Sequence, residues 1–94
     1  MNPISTQLCI FIERKIERLE KKIIEQKFEL ELYSHKICLR EKEYLIDNVF
    51  DISYRNATEE VGFLYLHTNE GVIPTLTKTD PKPFIESFRK VKQS

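Results

Sequence analysis

What the chain lacks most plainly is net charge. Fifteen basic side chains balance fifteen acidic ones over 94 residues. Strong non-specific attraction to nucleic acid or to an anionic membrane therefore has no basis in overall charge. Glycine is scarce, with two residues, and no glycine-rich loop is present to cradle a phosphate. Cysteine is scarce too. Cys9 and Cys38 are too few and too far apart for the disulfide framework of a small secreted domain. Long apolar runs are missing, and nothing approaches the roughly 20 residues needed to cross a bilayer as a helix. The run Leu8–Ile12 is short and passes directly into charges, and Met1-Asn2-Pro3-Ile4 lacks the basic start of a signal peptide. The residues before Cys9 do not form a lipoprotein cleavage site, so the expected compartment is the cytoplasm. Asn56-Ala57-Thr58 fits a glycosylation sequon only by chance in a chain that is not exported.

The charges that are present are unevenly spread. Residues 1–25 carry five basic and four acidic groups, residues 26–70 five and nine, and residues 71–94 five and two. The nets are +1, −4 and +3, which sum to zero. An acidic middle and a basic end can attract one another within the fold or between copies. A solvated mixed surface is the simpler reading.

A chain of this length makes one domain with a modest core. Residues 5–25 read as an amphipathic helix. Ser5 and Thr6 are N-cap candidates, and Cys9, Ile12, Ile16, Leu19 and Ile23 recur at spacings of 3, 4, 3 and 4 with charges between them. That is a heptad seam of nearly three repeats. The β-branched and aromatic stretch Leu8–Ile12 is also compatible with a strand. From Lys27 the period falls to two. Phe28, Leu30 and Leu32 alternate with polar residues, Ser34-His35 is a turn, and Ile37 and Leu39 continue the alternation. Glu41-Lys42-Glu43 reads as a polar connector. Tyr44–Tyr54 is extended, with a bulge or bend near Asp47-Asn48 to keep one buried face. Arg55–Glu60 is a loop. Gly62–His67 is a strand, Thr68–Gly71 a hairpin turn with Gly71 free to take positive φ, and Val72–Thr79 the return strand. Pro74 places that last strand at an edge or a bulge, because proline cannot donate to a ladder. Asp80-Pro81 opens a helix whose Phe84, Ile85, Phe88 and Val91 form one apolar stripe.

The pattern of residues 27–92 resembles the bacterial pleckstrin-homology (PH)-like domains. Gly62-Phe63-Leu64-Tyr65-Leu66-His67-Thr68-Asn69-Glu70-Gly71 and Asp80-Pro81-Lys82-Pro83-Phe84-Ile85 carry the likeness. It implies a seven-stranded, partly open barrel closed at one end by the helix, and a binding or assembly module with no single shared ligand. The residues after Lys27 supply only about five strands. The expected architecture is therefore α+β: an N-terminal amphipathic helical segment over 1–26, then a PH-like region over 27–94. That second region is an antiparallel sheet of about five strands forming a partial barrel, with a C-terminal capping helix. The basic pocket between the first two strands of phosphoinositide-binding members is poorly matched. Lys36, Arg40 and Lys42 alternate with Glu41 and Glu43.

No titratable set amounts to an active site. His35 and Cys38 have metal-like spacing but no second pair completes four ligands. Cys9 or Cys38 with His35 or His67 could form a nucleophile and base, yet both cysteines lie in apolar or strand contexts where a free cysteine packs as a small hydrophobe. Glu29/Glu31, Glu41/Glu43 and Glu59/Glu60 read as solvent sides of strands or loops. Lys78, Lys82, Arg89, Lys90 and Lys92, with Phe63 or Tyr65 nearby, would make a small basic patch with stacking aromatics, although those aromatics read more simply as core. No cofactor and no catalytic residue is expected. The expected function is a non-catalytic interaction or assembly module that self-associates through Ile12, Ile16, Leu19 and Ile23, with itself or another protein as partner. The alternative is a lipid- or membrane-surface binder using basic groups on loops and on residues 5–24.

Overall fold

A computed structural model describes residues 2–93, apart from the side chains of Arg14, Lys15 and Glu17. Among the described residues seven strands and one α-helix follow in order: β1 (Ser5–Glu17), β2 (Glu20–Leu32), β3 (Lys36–Leu39), β4 (Lys42–Leu45), β5 (Val49–Asn56), β6 (Gly62–Thr68), β7 (Gly71–Thr77) and α1 (Lys82–Gln93). All strand pairs are antiparallel, in the order β4-β3-β2-β1-β7-β6-β5. The two edge strands, β4 and β5, are separated in sequence only by a 3-10 turn at Ile46–Asn48. The sheet must therefore curl until its edges approach one another. One apolar core fills the curl. It joins Cys9, Leu30, Leu32, Ile37 and Tyr44 from one half to Val49, Ile52, Leu64 and Leu66 from the other.

The N-terminal helix expected over residues 1–26 is absent. Residues 5–32 form instead a β-hairpin with thirteen residues in each arm, and the sheet has seven strands rather than about five. Residue 26, the expected boundary, lies in mid-β2. Two physical facts explain the misreading. Glu, Lys and Arg give this stretch high helix propensity, and tertiary pairing overrides propensity. The turn residues Arg18 and Leu19, moreover, carry no turn signature. Both take left-handed conformations, at φ 47° and 70°, which a two-residue hairpin loop of this kind requires and which Asn-Gly normally supplies. Leu19→Gly is accordingly expected to raise stability by up to about 1 kcal/mol, since relief of a left-handed Cβ clash outweighs the extra chain entropy of glycine. A thermal melt that falls instead would show that the turn is not strained.

Elsewhere the differences are local. β4 takes up part of the expected polar connector, and only its Tyr44 is buried. The irregularity in the third extended segment comes as the 3-10 turn followed by a bulge between Val49 and Asp51. The bulge leaves Phe50 exposed and lets Val49 and Ile52 both point inward. Gly71 takes φ 115° in the β6–β7 turn. α1 begins as its sequence indicates: Lys82 N–H donates to the Asp80 carboxylate at 3.1 Å, and Phe84, Ile85 and Phe88 are buried with Val91 packed beside them. Phe63 and Tyr65 are not core. They lie on the outer face of β6, stacked with centroids 5.9 Å apart, while Leu64 and Leu66 fill the interior.

A buried polar lock joins β1 to β7. Gln7 Nε2 donates to Thr77 Oγ1 at 2.7 Å and to Thr79 Oγ1 at 2.8 Å, and Thr77 Oγ1 donates to the Leu8 carbonyl at 2.7 Å. The lock matters because the ladder between these strands is short. Among the described residues only Cys9↔Thr77 and Ile10↔Leu76 are paired. Beyond Ile10 the two strands separate, and Pro74 falls past that point, where no ladder partner on the β1 side is needed.

Candidate interaction surface

The separation of β1 from β7 creates the most distinctive feature of the molecule. β1 pairs with β2 along its whole length, but among the described residues β7 covers only Cys9 and Ile10, and β3 covers β2 only over Leu30–Leu32. Residues 11–28 therefore run on as a two-stranded ribbon with neither outer edge paired. At about 3.4 Å per residue a thirteen-residue arm spans about 44 Å, and the molecule's longest dimension is 52 Å against 28 and 26 Å across.

The ribbon is apolar on one face. The register sets Ile12 opposite Glu25, Arg14 opposite Ile23 and Ile16 opposite Lys21. Cross-strand partners share a face, so Ile12, Ile16 and Ile23 lie together on the outer face, with Ile23 diagonal to both. They are 43%, 76% and 71% exposed. Leu19, at the tip, is fully exposed. All four residues expected to mediate interaction thus lie on the ribbon, three on one face and one at its end. The fifth residue of the supposed seam, Cys9, faces inward and is buried. A spacing of four keeps two residues on one face of a strand as it does on a helix, which is why Ile12 and Ile16 stay together despite the change of structure.

The base of the ribbon is braced on its inner face. The Arg40 guanidinium sits over the Phe11 ring at 4.5 Å and near the Phe28 ring at 5.9 Å. Arg40 itself takes φ 58° in the β3–β4 turn. On the outer face Lys78 Nζ meets Glu25 Oε1 at 2.7 Å. Local sequence pattern shows neither contact, since Arg40 lies 29 positions from Phe11 and 12 from Phe28, and Lys78 lies 53 from Glu25.

The titratable residues are dispersed. Cys9 faces the core and bonds weakly to Thr75 Oγ1 at 3.9 Å. Burial pushes its thiol up to about 11, against a small lowering by the Thr75 hydrogen bond. Cys38 is also raised, by burial first, with Lys36 opposing. Both cysteines are free and are held as thiols, the unreactive form. His35 packs near Tyr33 in the β2–β3 turn and Cys38 lies near Glu43. Among the described residues no cluster of three or more His, Cys, Asp or Glu side chains could hold a metal. Of the basic patch, Lys78 is held by Glu25, Arg89 approaches Asp51 at 4.0 Å, and Lys92 donates to the Ile46 carbonyl at 3.1 Å. One pairing was invisible in the sequence: Ser53 Oγ lies 2.7 Å from His67 Nε2. The two residues come from adjacent strands on the outer face, and they read as a cross-strand polar pair. Among the described residues no helix is long and apolar enough to cross a membrane.

The raised Cys9 thiol gives a pH signature. The unfolded chain releases that proton near 9.0 and the folded chain holds it to about 11. Below pH 9 both states are protonated and the group has no effect. As pH rises from 9 toward 11 the unfolded state alone ionises, and stability falls by about 2 kcal/mol. Cys9→Val is expected to lose less stability than wild type over this range. Equal alkaline losses in the two melts would remove Cys9 as the cause.

No family model, curated protein or solved structure matches this chain.

Proposed function

We propose that the chain is a non-catalytic interaction and assembly module of PH-like fold that self-associates through its β1–β2 ribbon in the cytoplasm. The observation that carries this reading is the ribbon itself. A two-stranded ribbon is marginal in water by itself, unpaired strand edges invite pairing with another chain, and here exposed isoleucines sit beside those edges. A second chain on the ribbon would satisfy its edge backbone groups and bring exposed isoleucines of the two chains together. Seven antiparallel strands and a helix seated on the core support the PH-like likeness. Two free, protonated cysteines suit a reducing compartment.

The test is the oligomeric state of wild type and of an Ile16→Lys/Ile23→Lys variant, read by size-exclusion chromatography with light scattering. A wild-type assembly that the variant loses supports the reading, and a monomeric wild type refutes it. Fully exposed Leu19 at the tip, where Arg18, Lys21 and Lys22 outnumber Glu17 and Glu20, favours one other reading, insertion into an anionic membrane surface. Co-sedimentation with phosphatidylserine vesicles that weakens as salt rises would support it, and no co-sedimentation at low salt would exclude it.

A further inference from the structure

We infer that the partner is a second copy of this chain, paired antiparallel along β2 about a two-fold axis at Ile23. The inference rests on the self-association proposed above and specifies its edge and register.

The direction of the backbone groups selects the residues. At the paired end of β2, the Leu32 carbonyl accepts from Ile4 N–H on the β1 side, at 2.7 Å, while the next residue, Tyr33, donates its N–H to the Lys36 carbonyl on the β3 side, at 2.8 Å. Backbone groups alternate sides along a strand. Odd-numbered residues of β2 therefore aim N–H and C=O away from β1. Over Lys21, Ile23, Glu25 and Lys27 no strand among the described residues lies on that side, so four residues present an edge without a ladder partner.

Side-chain pattern then selects the register. An antiparallel homodimer must keep like faces together, so the numbers of opposed residues sum to an even total. Centring on residue 21, 22 or 25 opposes Lys21 to Lys21, Lys22 to Lys22 or Glu25 to Glu25. Centring on residue 24 opposes Lys21 to Lys27 and Ile23 to Glu25. Centring on Ile23 opposes Ile23 to Ile23 and sets Lys21 against Glu25 on both sides of the axis. It alone places isoleucine on isoleucine between two opposite-charge pairs, the favourable cross-strand combinations. Glu25 already accepts from Lys78, and a carboxylate has capacity for a second donor.

The geometry permits the pairing. Leu19 of each copy falls opposite Lys27 of the other, so the curled bodies lie at opposite ends of the joint and do not collide. Two ribbons become one four-stranded antiparallel sheet, past the size at which a sheet stands alone. The outer face of that sheet carries Ile12, Ile16 and Ile23 from each copy. The interface is isologous, as a closed dimer requires.

Cysteine cross-linking in full-length protein with Cys38→Ser tests the register, using oxidised glutathione as oxidant. A hydrogen-bonded pair brings Cα atoms to about 5.5 Å, within disulfide reach. Ile23→Cys is expected to shift to a doubled mass on a non-reducing gel. Lys21→Cys and Glu25→Cys, each alone, should remain single-chain, because each faces the other residue and not itself. Lys21→Cys/Glu25→Cys in one chain should cross-link. Cross-linking by Lys21→Cys alone, or none by Ile23→Cys and the double variant while wild type still forms dimers in light scattering, would overturn the β2 register and leave self-association standing. A monomeric wild type would overturn both.

Discussion

Ile16→Lys/Ile23→Lys is expected to convert the assembled protein to monomer while raising its solubility and leaving its melting temperature nearly unchanged. Both side chains are more than two-thirds exposed in the single chain, so lysine there loses little within the monomer. In the β2-paired dimer Ile23 of one copy packs beside Ile23 of the other, a cross-strand contact worth up to about 1 kcal/mol, while Ile16 stays on the outer face one strand away from the joint. Losing that contact and setting the two ammonium groups introduced at position 23 opposite one another, with the one at position 16 adding positive charge nearby, should weaken the joint by about 1–3 kcal/mol, and the dissociation constant should rise by about tenfold to a hundredfold. Circular dichroism of the variant should keep its β-rich spectrum. A variant that stays assembled would place the interface on another surface.

Phe88→Ala is expected to unfold the domain at physiological temperature or leave it near its midpoint. Phe84 and Phe88 are each 1% exposed and join both halves of the curled sheet through the one core. Truncating a buried phenylalanine costs about 3–5 kcal/mol, against a total of about 5–10 kcal/mol for a domain this small. Denaturant melts at equal protein concentration give the comparison. Glu86→Ala, on the exposed side of the same helix, should change stability by less than about 0.5 kcal/mol. A Phe88→Ala loss below about 1 kcal/mol would mean that α1 is not part of the core.

The residues that were legible in the sequence are those whose local signals agree with their tertiary roles. α1 shows its cap, stripe and terminal charges within a dozen residues. β6 alternates without interruption, and Gly71 marks its turn. β1 and the first half of β2 were not legible, because two signals conflict there. Ile12, Ile16, Leu19 and Ile23 fit a helical seam, the charged residues between them favour helix, and the hairpin turn hides in Arg18-Leu19. The β-branched and aromatic character of Leu8–Ile12 pointed to a strand but over only five residues. β4 escaped notice because an edge strand with a single buried residue looks like a loop. The candidate surface was legible as a set of unusual apolar residues but not as a shape. That Ile23 sits between Ile12 and Ile16 depends on the β1–β2 register, which is a long-range fact. The Arg40 brace on Phe11 and the Ser53–His67 pair depend on register and turn geometry in the same way.

Self-association requires the ribbon to be an assembly surface. The most direct measurement is the light-scattering mass of wild-type protein across a concentration series in the micromolar range. The expected result is a mass rising with concentration to twice 11.2 kDa. A mass that remains at 11.2 kDa throughout would contradict it.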